Sequence, residues 1–455
     1  MIFKSINPYN QEILGEYKVF AKQEIVSRLE ASARAYKSWK NLTLSERLAY
    51  LEKLAQLIED RADSLSYQMA EEMGKTYAEA RAEVLKCATG IRFFIGNSPE
   101  WLATETVESD ARLSLIMHQP LGGILLVMPW NFPLWQVLRA AVPALCVGNA
   151  VVLKHAPNVM RYAHTIENLF LEAGFPEHVF TNLVIDVPDL EQVVSHPAIA
   201  AVSLTGSENA GRSMAALAGK YLKKCVLELG GSDPFIVLPD ADLNFAGDMA
   251  AKARLINNGQ SCIAAKRFLV HQAVEKEFLT AFITGLEKFR PGNPVLSTTT
   301  LGPQARKDLA ENLHSQLQQS IAQGAELCYK MDASVPEGSF FLPTIVRNVQ
   351  PGMVCFDDEV FGPIAAITTY TGQEELVALA NHTRFGLGAS IYTANEQNGL
   401  KLAPFLDCGT VAINTMVRSK PALPFGGIKA SGYGKELSRF GLLEFSNAKS
   451  VILGG

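Results

Sequence analysis

Three short segments hold side chains that could do covalent chemistry. In Asn257-Asn258-Gly259-Gln260-Ser261-Cys262, a cysteine follows a glycine-containing polar turn between a helical stretch and a strand-like one. A cysteine so placed is either an exposed nucleophile or a small buried side chain. An unperturbed thiol, pKa about 8.5, is only ~3% thiolate at pH 7, so a nucleophile here needs activation from its surroundings. In Leu227-Glu228-Leu229-Gly230-Gly231, Glu228 ends a strand-like run ahead of a double glycine. It is either a general base for water or a salt-bridged carboxylate. In Met128-Pro129-Trp130-Asn131-Phe132-Pro133, the Asn131 amide is either a hydrogen-bond donor to an oxyanion or a turn residue between prolines. Two further segments suit a ligand. Thr205-Gly206-Ser207, with Gly211 beyond it, closes a strand and opens a helix, where glycine lets a phosphate approach the positive helix end. It is not GxGxxG, so an ordinary strand–helix turn fits as well. Glu359-Val360-Phe361-Gly362-Pro363 precedes another strand and reads equally as a loop entering a sheet.

The elements that must position these segments follow from length and pattern. With 455 residues the chain has room for two or three domains. Hydrophobic residues are 48% and charged residues 19%, an ordinary globular balance that excludes disorder, collagen and coiled coil. The net charge of 41 − 46 = −5, with no basic run, argues against nucleic acid as partner. No apolar stretch approaches a membrane span, and residues 1–10 lack a basic region followed by an apolar block, so neither membrane nor signal peptide is expected. Seven cysteines, an odd count with no CxxC, fit thiols in a reducing compartment and predict a cytoplasmic protein. The other six, Cys87, Cys146, Cys225, Cys328, Cys355 and Cys408, read as packing, and with no HExxH no metal is expected.

The first hundred residues after the tip read as helices. Thr43 and Glu46 have capping-box spacing, with Leu48, Leu51, Ala55 and Ile58 on one face. From Gly122, β-rich runs at 124–128, 151–154, 179–185, 200–205 and 225–229 alternate with helical stretches at 158–173 and 208–219. A second series has strands at 235–238, 267–271, 364–370, 389–392 and 409–414. Alternation of this kind predicts two α/β lobes with parallel strands, divided near Gly230-Gly231. Residues 442–455 are too apolar for a free tail and read as a strand docked on another lobe or subunit.

The ordered set is more specific than its members. Residues 129–133, Lys154, Thr205-Gly206-Ser207, residues 228–231, residues 259–262, residues 359–363 and Pro424-Phe425-Gly426-Gly427 together resemble the aldehyde dehydrogenase superfamily, from about Asn7 to the end. Within it, residues 226–235 and 153–157 are most similar to bacterial succinate-semialdehyde dehydrogenases. The resemblance implies a Rossmann-like cofactor domain (1–109 and 119–229), a second α/β catalytic domain (230–428) and a small β bridging element (110–118 and 429–455). It implies Cys262 as nucleophile, Glu228 as base for deacylation, and Asn131 with the Cys262 N–H as oxyanion donors. It implies NAD or NADP held by Lys154, Trp130, Gly206, Ser207, Glu359 and Phe361, and a homodimer or homotetramer.

Departures from the family pattern carry their own expectations. Pro157 stands where many NAD-preferring relatives have Glu, and His155 stands where Pro is common. With no carboxylate at 157 to oppose a 2′-phosphate, NADP is not excluded. Arg139, eight residues after Asn131, resembles an arginine that binds the substrate carboxylate in semialdehyde enzymes; a salt bridge on a helix face is the competing reading. A second arginine found in some relatives is replaced by Ile256, with Arg254, Arg418, Ser419 and Lys420 as possible substitutes. Ala264 stands where some relatives have a second cysteine, so no local disulfide is expected. The expected reaction is oxidation of an aldehyde, succinate semialdehyde first, to its acid through a thiohemiacetal and thioester. The alternatives are another small or aliphatic aldehyde, a CoA-acylating enzyme, or a catalytically silent relative. A cysteine hydrolase would need a Cys–His motif, and none is recognisable.

Overall fold

The structure is a computed structural model and describes residues 1–336 and 338–454; Gly455, the last residue of the expected terminal strand, lies outside the described residues. Two sheets dominate. The first runs in spatial order Gly432–Tyr433, Lys224–Glu228, Ile199–Thr205, Gly123–Met128, Ala150–His155, Phe180–Asn182. All its pairs are parallel except the short edge strand Gly432–Tyr433. The second runs Glu326–Lys330, Thr344–Arg347, Ile364–Tyr370, Arg267–His271, Pro234–Val237, Gly388–Tyr392, Thr410–Ile413, parallel except at its first pair. Helices cover both sheets, so central strands are buried on both faces; every residue of Ala150–His155 is buried. The expected α/β class and its parallel strands are present.

The helical reading near the start holds for Leu44–Asp60, where Thr43 and Glu46 form the reciprocal cap and Leu48, Leu51, Ala55 and Ile58 are buried. It fails at Ile13–Lys18, which pairs with Ile2–Ile6 of the tip as an antiparallel hairpin. Strands Glu326–Lys330 and Thr344–Arg347 were also not expected, and the run at 179–185 shortens to Phe180–Asn182.

A third sheet is built from Ser446–Leu453, Leu113–Pro120 and Glu105–Thr106, all antiparallel. The bridging element expected at 429–455 divides. Gly432–Tyr433 joins the first sheet beside Leu227 and Glu228, and only Ser446–Leu453 pairs with Leu113–Pro120. Gly432 makes that possible: at φ +108 its Cα lies so near the Leu227 carbonyl that no β-carbon would fit.

The carboxyl ends of the first sheet, at Met128, His155, Thr205 and Glu228, face the second lobe. Open parallel sheets place ligands at such ends. Cys262 lies just ahead of strand Arg267–His271, at the amino end of the second sheet, so the chemistry sits between the lobes. Among the described residues, no helix is long and apolar enough to cross a membrane.

Candidate active site

The nucleophile loop is an unusual piece of backbone. After helix Leu243–Leu255, Asn257, Asn258 and Gly259 adopt positive φ of 53°, 56° and 80° in succession. Each such conformation at a non-glycine residue costs roughly 1–3 kcal/mol and persists only where its surroundings fix it. Here they do. Glu79 Oε1 accepts the Asn257 N–H at 2.7 Å, and Asn258 Nδ2 donates to the Gly74 and Pro303 carbonyls at 2.9 and 3.0 Å. Asn258 Oδ1 accepts from Gly302 N–H at 2.7 Å, and Gln260 Oε1 from Ala305 N–H at 2.9 Å. Lys266, fully buried, donates to the carbonyls of Ser261, Cys262 and Ala264 at 3.0, 2.7 and 3.2 Å.

Cys262 is partly exposed on the wall of a cavity of about 250 Å³. Enclosure by protein pushes its thiol up to about 12, against the opposing pull of the Lys266 and Arg139 cations. At neutral pH the resting group is therefore a thiol, and attack requires its proton to be removed. Asn131 lines the same cavity from the turn after strand Gly123–Met128. Its Nδ2 donates to the Gln260 carbonyl at 3.1 Å, and its own carbonyl accepts from Asn257 Nδ2 at 2.7 Å. Asn257 thus ties the backbone of Asn131 to the cysteine loop, and the Gln260 carbonyl holds its side-chain amide. The amide and the sulfur are brought together as the sequence suggested.

The cofactor-side residues share that cavity. Gly206 and Ser207 line it at the start of helix Glu208–Lys220, where Ser207 Oγ accepts the Ala210 N–H at 3.3 Å. Glu359 lines it too; its Oε1 accepts from Gly231 N–H at 3.0 Å and lies 3.5 Å from Lys266 Nζ. A β-carbon on Gly230 would run into the Glu359 carboxylate, so glycine there keeps that carboxylate beside the backbone. Trp130 and Phe361 meet edge to face, centroids 5.9 Å apart. Lys154 is the penultimate residue of strand Ala150–His155 and lies outside this cavity. It is 6% exposed, and its amine has no hydrogen bond or ion pair among the described residues. Burial lowers its pKa, with the Asp186 carboxylate pulling the other way. A buried ammonium without an acceptor at a strand end is suited to ribose hydroxyls or a phosphate, so the residues present fit a nicotinamide dinucleotide.

Glu228 does not line the cavity. It is 2% exposed, packed against Gly426, and its Oε1 has no hydrogen-bond partner among the described residues. Burial, and then the neighbouring Glu436 carboxylate, raise its pKa well above the usual range. Its protonated form is favoured relative to an ordinary carboxylate; to act as a base it must lose its proton and reach the cavity, which its neighbours Leu229 and Gly230 line. The expected convergence therefore holds for Cys262 and Asn131 and stops one side chain short for Glu228.

The expected substrate cations need correction. Arg139 is buried, ion-paired with Glu436, and its guanidinium lies 4.7 Å over the Phe425 ring, with Nη2 3.5 Å from Thr205 Oγ1. Its charge is already matched inside the protein. Arg418 is exposed, 3.6 Å from the Met416 sulfur, and lines no part of the Cys262 cavity. Arg254 is buried and spent on the Gly259 carbonyl at 2.8 Å. Ser419 is buried, and its Oγ accepts from Trp135 Nε1 at 3.1 Å. Sequence reasoning missed Glu79, Asn257, Lys266 and Glu436. Of these only Asn257, inside the cysteine motif, carried a visible signal.

Similarity to known proteins follows the same lines. Residues 1–451 match the model of the aldehyde dehydrogenase family. The chain is 45% identical to a probable succinate-semialdehyde dehydrogenase [NADP(+)] of Synechocystis sp. over 451 residues, covering 99% of each chain. It is 41% identical to a succinate semialdehyde dehydrogenase [NAD(P)+] of Escherichia coli, covering 98% of this chain and 97% of that one. Among solved structures, a succinic semialdehyde dehydrogenase from Streptococcus pyogenes in complex with NADP+ superposes with a TM-score of 0.97 at 35% identity, covering 100% of both chains.

Proposed function

The chain belongs to the aldehyde dehydrogenase family, and from that premise we propose that it oxidises succinate semialdehyde to succinate with NADP+ or NAD+. The observation that carries this reading is the shared cavity, with Cys262 and Asn131 on one side and Gly206, Ser207, Glu359 and Phe361 on the other. The printed names of the relatives supply the substrate.

In this reading the Cys262 thiol gives its proton to solvent in the cavity it partly faces, its sulfur adds to the aldehyde carbon, and the carbonyl electron pair moves to oxygen. The Asn131 amide and the Cys262 N–H hold that oxyanion; preorganised donors of this kind stabilise charge as it develops. The nicotinamide, when bound, supplies the acceptor for the hydride that leaves as the carbonyl re-forms. With the dinucleotide bound, Lys154 would hold the adenosine ribose, Gly206 and Ser207 the pyrophosphate and Glu359 the nicotinamide ribose, with Trp130 and Phe361 walling the cleft. A thioester on Cys262 remains. Glu228, once deprotonated, takes a proton from water; the hydroxyl adds to the acyl carbon and the thiolate departs. Retention of Glu228 favours water over CoA as acyl acceptor.

An initial-rate panel tests this: succinate semialdehyde, glutarate semialdehyde, acetaldehyde and hexanal, each with both nicotinamides. Succinate semialdehyde is expected to give the highest kcat/KM. With Pro157 at the edge of the cofactor site, both nicotinamides are expected to be used. A kcat/KM ratio for NAD+ over NADP+ above about a thousand, roughly 4 kcal/mol of discrimination, contradicts the cofactor reading. A rate that depends on added CoA contradicts the hydrolytic one.

The assembly and location follow from the same premise. Strand Ser446–Leu453 is an edge strand with seven exposed residues in succession, Ile452 among them at 70%. An exposed apolar edge of this length invites pairing with another chain. A second copy of this chain covers it, giving a homodimer or homotetramer. Light scattering is expected to give at least twice the 49.5 kDa chain mass, and Ile452→Asp is expected to lower it. A monomer at micromolar concentration contradicts the assembly. All seven cysteines are free, which supports a reducing, cytoplasmic setting.

A further inference from the structure

Cys262 and Asn131 stand on different lobes, and one stretch of chain outside their cavity, residues 74–83, holds the backbone around both. It closes helix Ala62–Met73 and opens helix Tyr77–Trp101, which packs on helices Leu44–Asp60, Ala62–Met73 and Trp135–Val147 of the first lobe. Toward the second lobe, Glu79 Oε1 accepts the Asn257 N–H at 2.7 Å, and the Gly74 carbonyl accepts from Asn258 Nδ2 at 2.9 Å. Asn257 is the first of the three positive-φ residues that lead to Cys262. The Glu79 carboxylate is itself held: Thr76 Oγ1 donates to its Oε2 at 3.1 Å and accepts the Glu79 N–H at 3.4 Å.

Toward the first lobe, Glu83 Oε1 accepts the N–H groups of Leu134 and Trp135 at 3.1 and 3.0 Å. These groups begin helix Trp135–Val147, whose cap position, Leu134, offers no side-chain acceptor. Glu83 therefore caps, from another helix, the element that follows the Asn131 turn. Its second oxygen is ion-paired with Lys75, and the Lys75 amine lies 3.9 Å from the centre of the Phe132 ring, next to Asn131. Lys75 and Glu83 are both buried, so this end of the stretch is fixed. Glu79 and Glu83 are four residues apart on one helix, which puts them on the same face about 6 Å apart along the axis. One rigid turn of helix thus spans from the turn that carries the amide to the loop that carries the sulfur. Neither carboxylate lines the Cys262 cavity. A donor stabilises an oxyanion only at hydrogen-bond distance from where that oxygen forms, and a misplacement of about 1 Å costs about 10²-fold in rate.

We propose that Glu79 is a positioning residue for acylation: anchored to the Asn131 turn through Glu83 and Lys75, it fixes the Asn257 backbone and so sets the register between the Cys262 sulfur and the Asn131 amide. This deepens the aldehyde dehydrogenase reading and rests on its roles for Cys262 and Asn131. The quantity to measure is the single-turnover rate of nicotinamide reduction with succinate semialdehyde, in a double-mutant cycle. Glu79→Ala is expected to lower that rate at least about thirtyfold, with NADP+ affinity held within about threefold. Glu79→Gln keeps an oxygen facing the Asn257 N–H and is expected to recover the rate to within about threefold of wild type. Asn131→Ala is expected to cost at least about a hundredfold. Adding Glu79→Ala to Asn131→Ala should then cost less than about threefold more, because no amide remains to be aligned. Glu79→Asp, which withdraws the carboxylate by one methylene, carries the same cycle should Glu79→Ala fail to fold. Equal losses in the two backgrounds make Glu79 a structural residue and overturn the proposal. A Glu79→Ala variant as fast as wild type, or a Glu79→Gln variant as slow as Glu79→Ala, also overturns it, and each of these leaves the enzyme reading standing. Asn131→Ala with a loss below about tenfold removes the oxyanion role of Asn131 and this inference together.

Discussion

Cys262→Ala is expected to lower kcat for succinate semialdehyde at least about 10⁴-fold, with NADP+ affinity held within about threefold. The size of the effect follows from what lines the cavity. Among the seven cysteines Cys262 alone borders it, so no other sulfur can form the acyl intermediate. The residues proposed to hold the cofactor, Lys154, Gly206, Ser207, Glu359 and Phe361, are untouched by the substitution. Folding should survive as well. The loop is held through backbone atoms, by Lys266 on the carbonyls of 261, 262 and 264 and by Glu79 on the Asn257 N–H. Activity above about 1% of wild type would mean that the sulfur is not the nucleophile.

Glu228→Gln is expected to slow steady-state turnover by about 10²–10⁴-fold while leaving a burst of about one reduced nicotinamide per site. The amide matches the carboxyl in shape and cannot take a proton from water, so the thioester forms and then waits. Dependence on pH separates the two steps. Glu228 is a base only after losing its proton, and burial together with Glu436 holds its pKa well above the usual range. Wild-type deacylation should therefore rise with pH, over a range set above that of an ordinary carboxylate. The Cys262 thiol, pushed up to about 12, also gains reactivity with rising pH, and that dependence appears in the rate of the burst. In Glu228→Gln the rise of the steady-state rate with pH should flatten while that of the burst remains. A variant that loses the burst itself would place Glu228 in acylation.

Much of this molecule is legible in its residue order because the deciding signals are local. The parallel strands are β-rich runs between helical stretches, and the first-sheet strands at 123–128, 150–155 and 199–205 come out within about a residue of expectation. The cap at Thr43 and the polar turn before Cys262 are likewise written in consecutive residues. What stayed hidden depends on distant partners. The opening hairpin shows alternate burial over Ile2–Ile6 because Phe3 packs against Met160, Ala163 and Val184 and Ser5 meets Glu72, all distant in the chain. Strand Glu326–Lys330 is a largely exposed edge with no apolar run to announce it. Arg139 was read as a candidate for the substrate carboxylate, and its actual partner, Glu436, lies near the other end of the chain. The same carboxylate helps raise the pKa of Glu228, whose burial away from the cavity no local pattern in Leu227-Glu228-Leu229 encodes.

The central claim is that the acyl group passes through the sulfur of Cys262. Its most direct test is to mix Glu228→Gln with succinate semialdehyde and NADP+, quench in acid during the burst, digest, and weigh the peptides. The account predicts a peptide containing Cys262 heavier by one succinyl group, in proportion to the burst, and released by hydroxylamine. A full burst with Cys262 unmodified, or with the acyl group on another residue, would contradict it.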